Sequence, residues 1–271
     1  MAFLEHKCNG VTYMTSPNIE TVHAFTTRHT GVSQGIYHSL NLGQNTGDDG
    51  ASVSENYNIL GRALHISSDD IVSTRQVHGN HVRVVAKNDR GRLYFPQQQD
   101  ADGIITNEPN IALMILVADC VPILLHDPVL NLIGAVHSGW RGTAMDIAGS
   151  AIKKMSEVFG SSPANIRAAV GPCISQCCYE TDSDVPDGLF KTLQKDTEKC
   201  IKARDDKYMV DLKEANHLLL RRAGLSDIMV SDECTSCRND KYWSHRKTKG
   251  QRGSQAAIIQ LRNQNAEMKN S

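Results

Sequence analysis

No single sign of charge dominates this chain. Its 29 Lys and Arg residues face 30 Asp and Glu, for a formal net charge of −1. A chain so balanced projects no global positive field, so neither nucleic acid nor a membrane surface is expected as a partner. Long apolar runs are missing too. The longest, Ile111 to Ala118, is eight residues, against ~20 for a bilayer span. The opening stretch, Met1-Ala-Phe-Leu-Glu-His-Lys7, lacks the basic-then-apolar layout of a signal peptide, and a cytoplasmic location is expected. No repeat, low-complexity tract or Pro/Gly/Ser linker divides the chain. Neither a Walker A loop nor Gly-x-Gly-x-x-Gly occurs, which removes the best-known cradles for nucleoside triphosphates and dinucleotides.

What is present fits a soluble globular protein: 40 % hydrophobic and 22 % charged residues over a length of 271. A chain of that size can bury a substantial core. Aromatics are few, but the chain holds 8 Cys and 11 His. Without a secretion signal the cysteines do not read as a disulfide framework; thiols here are core filler, metal ligands or nucleophiles.

Hydrophobic patterning predicts a strand over Val22–Thr27 and a long irregular loop from Gly31 to Gly50, crowded with Gly, Ser, Asn and Asp. A Ser-capped helix is expected over Ser52–Leu64. Buried-strand signals follow at Ile71–Val77, His81–Ala86, Gly103–Thr106, Ile111–Val117, Ile123–Leu125 and Leu132–Val136. Helices are predicted at Thr143–Phe159 and Asp211–Ala223, and strands at Ile166–Val170 and Ala256–Leu261. Residues 263–271 read as a frayed tail. Strands in the centre with helices over them predict an α/β fold, mixed and α+β-like. One domain over residues 1–271, with a large mixed sheet core covered by helices, suits this length.

Three segments share a design in which an apolar strand ends at a ligating residue and a turn follows. They are Arg75-Gln-Val-His78-Gly79, Val117-Ala-Asp-Cys120 and Gly134-Ala-Val-His137-Ser-Gly139. Strand ends on one edge of a sheet converge, and His, Cys and His are the donors zinc prefers. Three protein donors leave a fourth position open, the catalytic arrangement. The competing reading of each residue alone is packing. Other signals are thinner. Gly31-Val-Ser33-Gln-Gly35 fits a nucleophile elbow in letters, but a loop follows where a helix is required. Pro172-Cys173-Ile-Ser-Gln-Cys177 has one residue too many for the nucleobase-deaminase half-motif, and no His-x-Glu accompanies it. Cys234-Thr-Ser-Cys237 has zinc-ribbon half-site spacing without a second pair at ribbon distance, so both are read as structural. The remaining histidines, His245 among them, read as surface or core residues.

Taken together, Arg75-Gln-Val-His-Gly79, Asp100-Ala-Asp-Gly103, Ala118-Asp-Cys-Val-Pro122, His137-Ser-Gly-Trp-Arg-Gly142, Gly171-Pro172 and Cys177-Cys-Tyr-Glu180 resemble the YfiH/YlmD family. Thr26-Thr-Arg28, Gly31-Val-Ser-Gln-Gly35 and Ser39-Leu-Asn-Leu-Gly43 match its N-terminal signature, so the resemblance covers nearly the whole chain. That family has carried the label of multicopper polyphenol oxidases or laccases, and was later assigned as zinc-dependent purine nucleoside phosphorylases with adenosine deaminase activity. Its fold is related to that of cysteine-dependent deamidase toxins. The resemblance implies that His78, Cys120 and His137 are zinc ligands and the catalytic centre. It implies purine nucleosides and phosphate as substrates, bound by Arg28, Ser33, Asn41, Arg75, Asp102, Asp119 and Arg141, in a monomer or homodimer.

Arg28, Arg75 and Arg141 are the candidates for phosphate, or else orient carboxylates such as Asp119. Asp100, Asp102 and Asp119 could bind ribose or orient a ligand histidine. The chain departs from the family near its C-terminus, with Ser244-His-Arg-Lys-Thr248 and Gln251-Arg-Gly-Ser-Gln255 in place of Ser-x-Arg-Arg-Asp and Thr-Gly-Arg-Gln. Three rival readings stay open. A copper-dependent phenol oxidase would need more clustered histidines than the chain has. A metal-free cysteine hydrolase or amidase would use Cys120 as nucleophile and His137 as base. A non-enzymatic quality-control or binding protein is the third.

Overall fold

A computed structural model describes residues 2–91 and 99–261; the expected frayed tail lies outside them. The sheet core is divided in two. The first six-stranded sheet runs β1 (Leu4–Cys8), β2 (Val11–Thr15), β3 (Val22–Thr26), β15 (Gln255–Gln260), β7 (Ala112–Val117) and β4 (Ile71–Val72). The second runs β14 (Asp227–Val230), β10 (Arg167–Val170), β8 (Val121–Asp127), β9 (Leu132–Ser138), β6 (Gly103–Thr106) and β5 (Val82–Val84). A smaller sheet joins β11 (Glu180–Thr181), β13 (Lys207–Val210) and β12 (Ile201–Arg204).

The two large sheets pack face to face. Leu113, Ile115, Val117, Ala257 and Ile259 of one meet Ile104, Leu124, Ile133, Ala135 and Ala169 of the other in one buried cluster. Successive strand residues point to opposite faces, so Ala112, Met114 and Ile258 turn outward to Val53, Tyr57 and Leu60 of helix α1 (Gly50–Leu64). On the far side of the second sheet, Ile123, Leu125 and Val136 pack under α3 (Ile147–Phe159) and α5 (Leu212–Arg222). The layers are helix, sheet, sheet, helix. Strands buried on both faces read as continuous apolar runs, which is why β7, β8, β9 and β15 stand out in the sequence.

Local capping adjusts several predicted bounds. Helix α1 starts at Gly50 because the Asp49 carboxylate, not a serine, accepts the Ser52 N–H at 2.8 Å. The helix expected over Thr143–Phe159 is two pieces, α2 (Trp140–Ala144) and α3. Asp146 breaks it, with φ at 54° and its side chain capping Gly149. Patterning passed over β1, β2, β12, β13 and α4 (Asp184–Leu193), which carry half-exposed or polar sequences.

Candidate metal centre and its cleft

Two crossings between the large sheets and one strand end deliver the ligating side chains. Strand β7 passes through Ala118-Asp119-Cys120 directly into β8, so Cys120 stands where the chain changes sheet. Residues 73–81 make the same change from β4 to β5 and carry His78. His137, next to last in β9, pairs across the ladder with Pro122 of β8. The ligand atoms of His78, Cys120 and His137 all lie within 4.8 Å of one another. The close approach depends on Gly139, where a Cβ would sit 2.6 Å from His78 Nδ1 and 3.3 Å from Cys120 Sγ.

One carboxylate organises this floor. Asp102 Oδ1 accepts the His137 Nδ1–H at 2.8 Å and the His78 N–H at 3.0 Å. Its Oδ2 accepts the Gly79 and Val77 N–H groups at 2.7 and 3.2 Å. Four donors hold Asp102 ionised, its carboxyl below the usual range although burial works the other way. The same bonds hold His78 at φ 60°, a conformation costing roughly 1–3 kcal/mol. Burial and the neighbouring His137 lower the His78 pKa, so its imidazole is neutral. Burial would also lower His137, but the neighbouring Cys120 sulfur and Asp102 outweigh it and raise its pKa to about 9.

This donor set fits a zinc-class ion. It offers two imidazoles and a sulfur, with one imidazole oriented through its second nitrogen by a carboxylate. The three donors line a cleft of about 1000 Å³, leaving a coordination position on its open side.

The structure sorts the expected substrate residues into two groups. Arg75, Asp119 and Arg141 line the cleft. Arg75 is exposed and paired with Asp100. The Arg141 guanidinium lies 4.3 Å above the Trp140 ring. Asp119 is engaged at both oxygens: Oδ1 accepts from the Thr235 hydroxyl at 2.6 Å, and Oδ2 from the Ser244 hydroxyl and Arg246 N–H at 3.0 and 2.7 Å. Asp102 lies beneath the lining and holds His137 and the backbone of residues 77–79.

Arg28, Ser33 and Asn41 are placed outside the lining of the cleft. Arg28 donates to the His38 and Asn239 carbonyls at 2.8 and 2.9 Å and stacks 3.7 Å over Trp243. Ser33 is fully buried and accepts from Asn56 Nδ2 at 2.9 Å. Asn41, also fully buried, bonds the Gly43 and Ser254 N–H groups at 2.8 and 2.9 Å and donates to Asp48. They shape the Gly-rich loop that forms one rim.

Sequence reasoning missed Tyr179, His245, Arg246 and Arg252, all of which line the cleft. The signal was present in the basic residues of 244–252, where the chain departs from the family pattern.

With this geometry in place, likeness to known proteins can be weighed. Residues 22–262 match the family model described as multi-copper polyphenol oxidoreductase laccase. The chain belongs to that family. Within the laccase-like family it is 36 % identical over 250 residues to the purine nucleoside phosphorylase YlmD of Bacillus subtilis strain 168, covering 90 % of each chain. It is 31 % identical over 239 residues to an adenosine deaminase of an unknown prokaryotic organism, covering 85 % of this chain and 90 % of that one. The crystal structure of YlmD from Geobacillus stearothermophilus superimposes with a TM-score of 0.89 at 36 % identity, covering 93 % of this chain and 96 % of that one. The fold is thus the mixed α/β domain of the YfiH/YlmD proteins, and relatives matched over 85 % and 90 % of the chain are named as enzymes of purine nucleosides.

Proposed function

We propose that the protein is a zinc-dependent purine nucleoside phosphorylase that also deaminates adenosine, with inosine and methylthioadenosine as further phosphorolysis substrates. The observation that carries this reading is the charge of the cleft. Arg75, Arg141, Arg246 and Arg252 line it, against the single carboxylate of Asp119, whose oxygens already hold three donors. Among the described residues Arg141, Arg246 and Arg252 have no carboxylate ion-pair partner. Such a cleft selects an anion, and phosphate matches the forked geometry of arginine.

A zinc ion held by His78, Cys120 and His137 would supply Lewis acidity at the cleft floor. The chain's own residues do the rest. The arginines hold phosphate and neutralise its charge as it approaches the ribose carbon. Trp140, Ile174 and Leu212 offer apolar surface to the purine. Asp102 keeps the His137 ring oriented through both reactions. Incubation with adenosine, with and without phosphate, tests the proposal. Adenine and ribose 1-phosphate formed only with phosphate establish phosphorolysis, and inosine in either case establishes deamination. Neither product at micromolar enzyme overturns it.

The order Asp102–His137–Cys120 also favours a second reading, in which His137 serves as base to a Cys120 nucleophile. Alkylation separates the two. A zinc-bound thiolate reacts slowly and becomes labelled once the metal is stripped. A nucleophile reacts quickly in the active enzyme, with or without chelator.

A further inference from the structure

A second knot of ligating atoms lies apart from the cleft floor. Cys177 and Cys178 are consecutive, and Cys234 and Cys237 bracket two residues much later in the chain. The fold brings all four sulfurs within 4.8 Å of one another. Cys178 and Cys237 are 3.4 Å apart, Cys177 and Cys237 3.6 Å, and Cys177 and Cys178 3.7 Å. All four are free thiols. One ion bound tetrahedrally at ~2.3 Å from four thiolates sets sulfur–sulfur edges of about 3.8 Å. The observed edges have nearly that size before any ion draws the sulfurs into place.

We propose that Cys177, Cys178, Cys234 and Cys237 form a closed four-sulfur site for one structural zinc ion. A second observation supports a thiolate at this point. Cys234 Sγ accepts the Ser175 N–H at 3.3 Å, and the backbone N–H groups of Ser236 and Cys237 also bond it. Amide donors aimed at sulfur are the outer contacts that stabilise a metal-bound thiolate. Four sulfurs leave no open position, in contrast to the three-donor floor.

The placement says what such an ion would do. Tyr179, in the cleft lining, directly follows Cys178. Thr235, between the two later cysteines, holds Asp119. Arg246 donates to the Cys178 and Glu180 carbonyls at 3.4 and 2.8 Å. One ion would cross-link the segments around 177–180 and 234–237 and so fix the wall that carries Arg246.

Metal analysis of the full-length protein tests this independently of the proposed activity. His137→Ala should retain one zinc per chain, and His137→Ala combined with Cys237→Ser should retain none. Cys177→Ser alone should lose one ion and lower Tm. Native mass spectrometry of the unsubstituted protein should show the zinc-loaded mass with every cysteine reduced, a readout that needs no variant to fold. Unchanged zinc content in Cys177→Ser and Cys237→Ser would overturn the proposal. So would a mass short by the hydrogens of disulfides among these four residues.

Discussion

The floor of the cleft is made from two crossings between the sheets and one strand end, and its far wall from a short helical turn and a loop. His137 sits in the β9 ladder, while His78 and Cys120 sit on the segments that cross between the sheets. One buried carboxylate with four donors locks His137 and the His78 backbone. The wall is carried by Ser244–Ser254, whose arginines are held by carbonyls, a serine hydroxyl and an aromatic face. The floor therefore has a single geometry suited to an ion, while the wall presents long cationic side chains that can adapt to a substrate. Precision belongs to the floor and adaptability to the wall.

The sharpest way to break this contrast is His137→Ala. It should abolish zinc at the floor and reduce phosphorolysis and deamination to background, with the circular dichroism spectrum retained. A variant that keeps phosphorolysis would remove the floor from the chemistry. Asp102→Asn should be next, since an amide cannot accept all four donors. Zinc affinity, measured by competition with a chromogenic chelator, should fall about 10- to 100-fold. On the wall, Arg141→Ala or Arg252→Ala should raise the phosphate KM roughly ten- to a hundredfold, the equivalent of about 1.5–3 kcal/mol for a charge-assisted contact. Deamination, which uses water, should be spared. Equal loss of both reactions would assign that arginine to the shared nucleoside site.

Acidity sharpens the comparison further. The His137 pKa, raised from 6.5 to about 9, means that the metal-free protein holds a proton where zinc must bind. Zinc affinity should climb about tenfold per pH unit until His137 titrates near pH 9, then level off. A flat profile below that pH would contradict the Cys120 and Asp102 contacts. The metal-free protein should behave oppositely. A raised folded-state pKa contributes stability in full below 6.5, and that contribution is lost as pH rises through about 9. The smallest effect belongs to Thr235→Val, which removes one donor to Asp119. It should cost about 1 kcal/mol, read as a lower Tm with the floor zinc intact.

Cys120 and His137 were legible in the sequence because they stand beside or within buried strands, whose apolar runs are the plainest pattern a chain can show. The strand expected over Ile71–Val77 stops at Val72, so His78 lies on a crossing loop instead of a strand end. Less legible was that β7 and β8, consecutive in the chain, belong to different sheets. Periodicity records which residues are buried and not which layer buries them. Arg28 shows a further limit, since its motif was recognisable but its guanidinium is spent on His38, Asn239 and Trp243. Arg246 lies in a single helical turn and Arg252 in a loop, both too short to show a period, so their direction is set by tertiary contacts. Cys177 and Cys178 were noted but not joined to Cys234 and Cys237, because those partners come from a distant loop.

Strand β15 carries a consequence for how the molecule is made. It lies between β3 and β7 and pairs with both, yet it follows β7 by about half the chain and β3 by most of it. During vectorial synthesis those two neighbours emerge first and wait with unpaired edges, a surface open to other growing chains. The stretch that closes the seam also brings in Arg252 and Ser254 of the cleft. A nascent chain released before Gln255 would thus lack the strand that joins the two halves of the first sheet, and quality control could recognise it by that open edge.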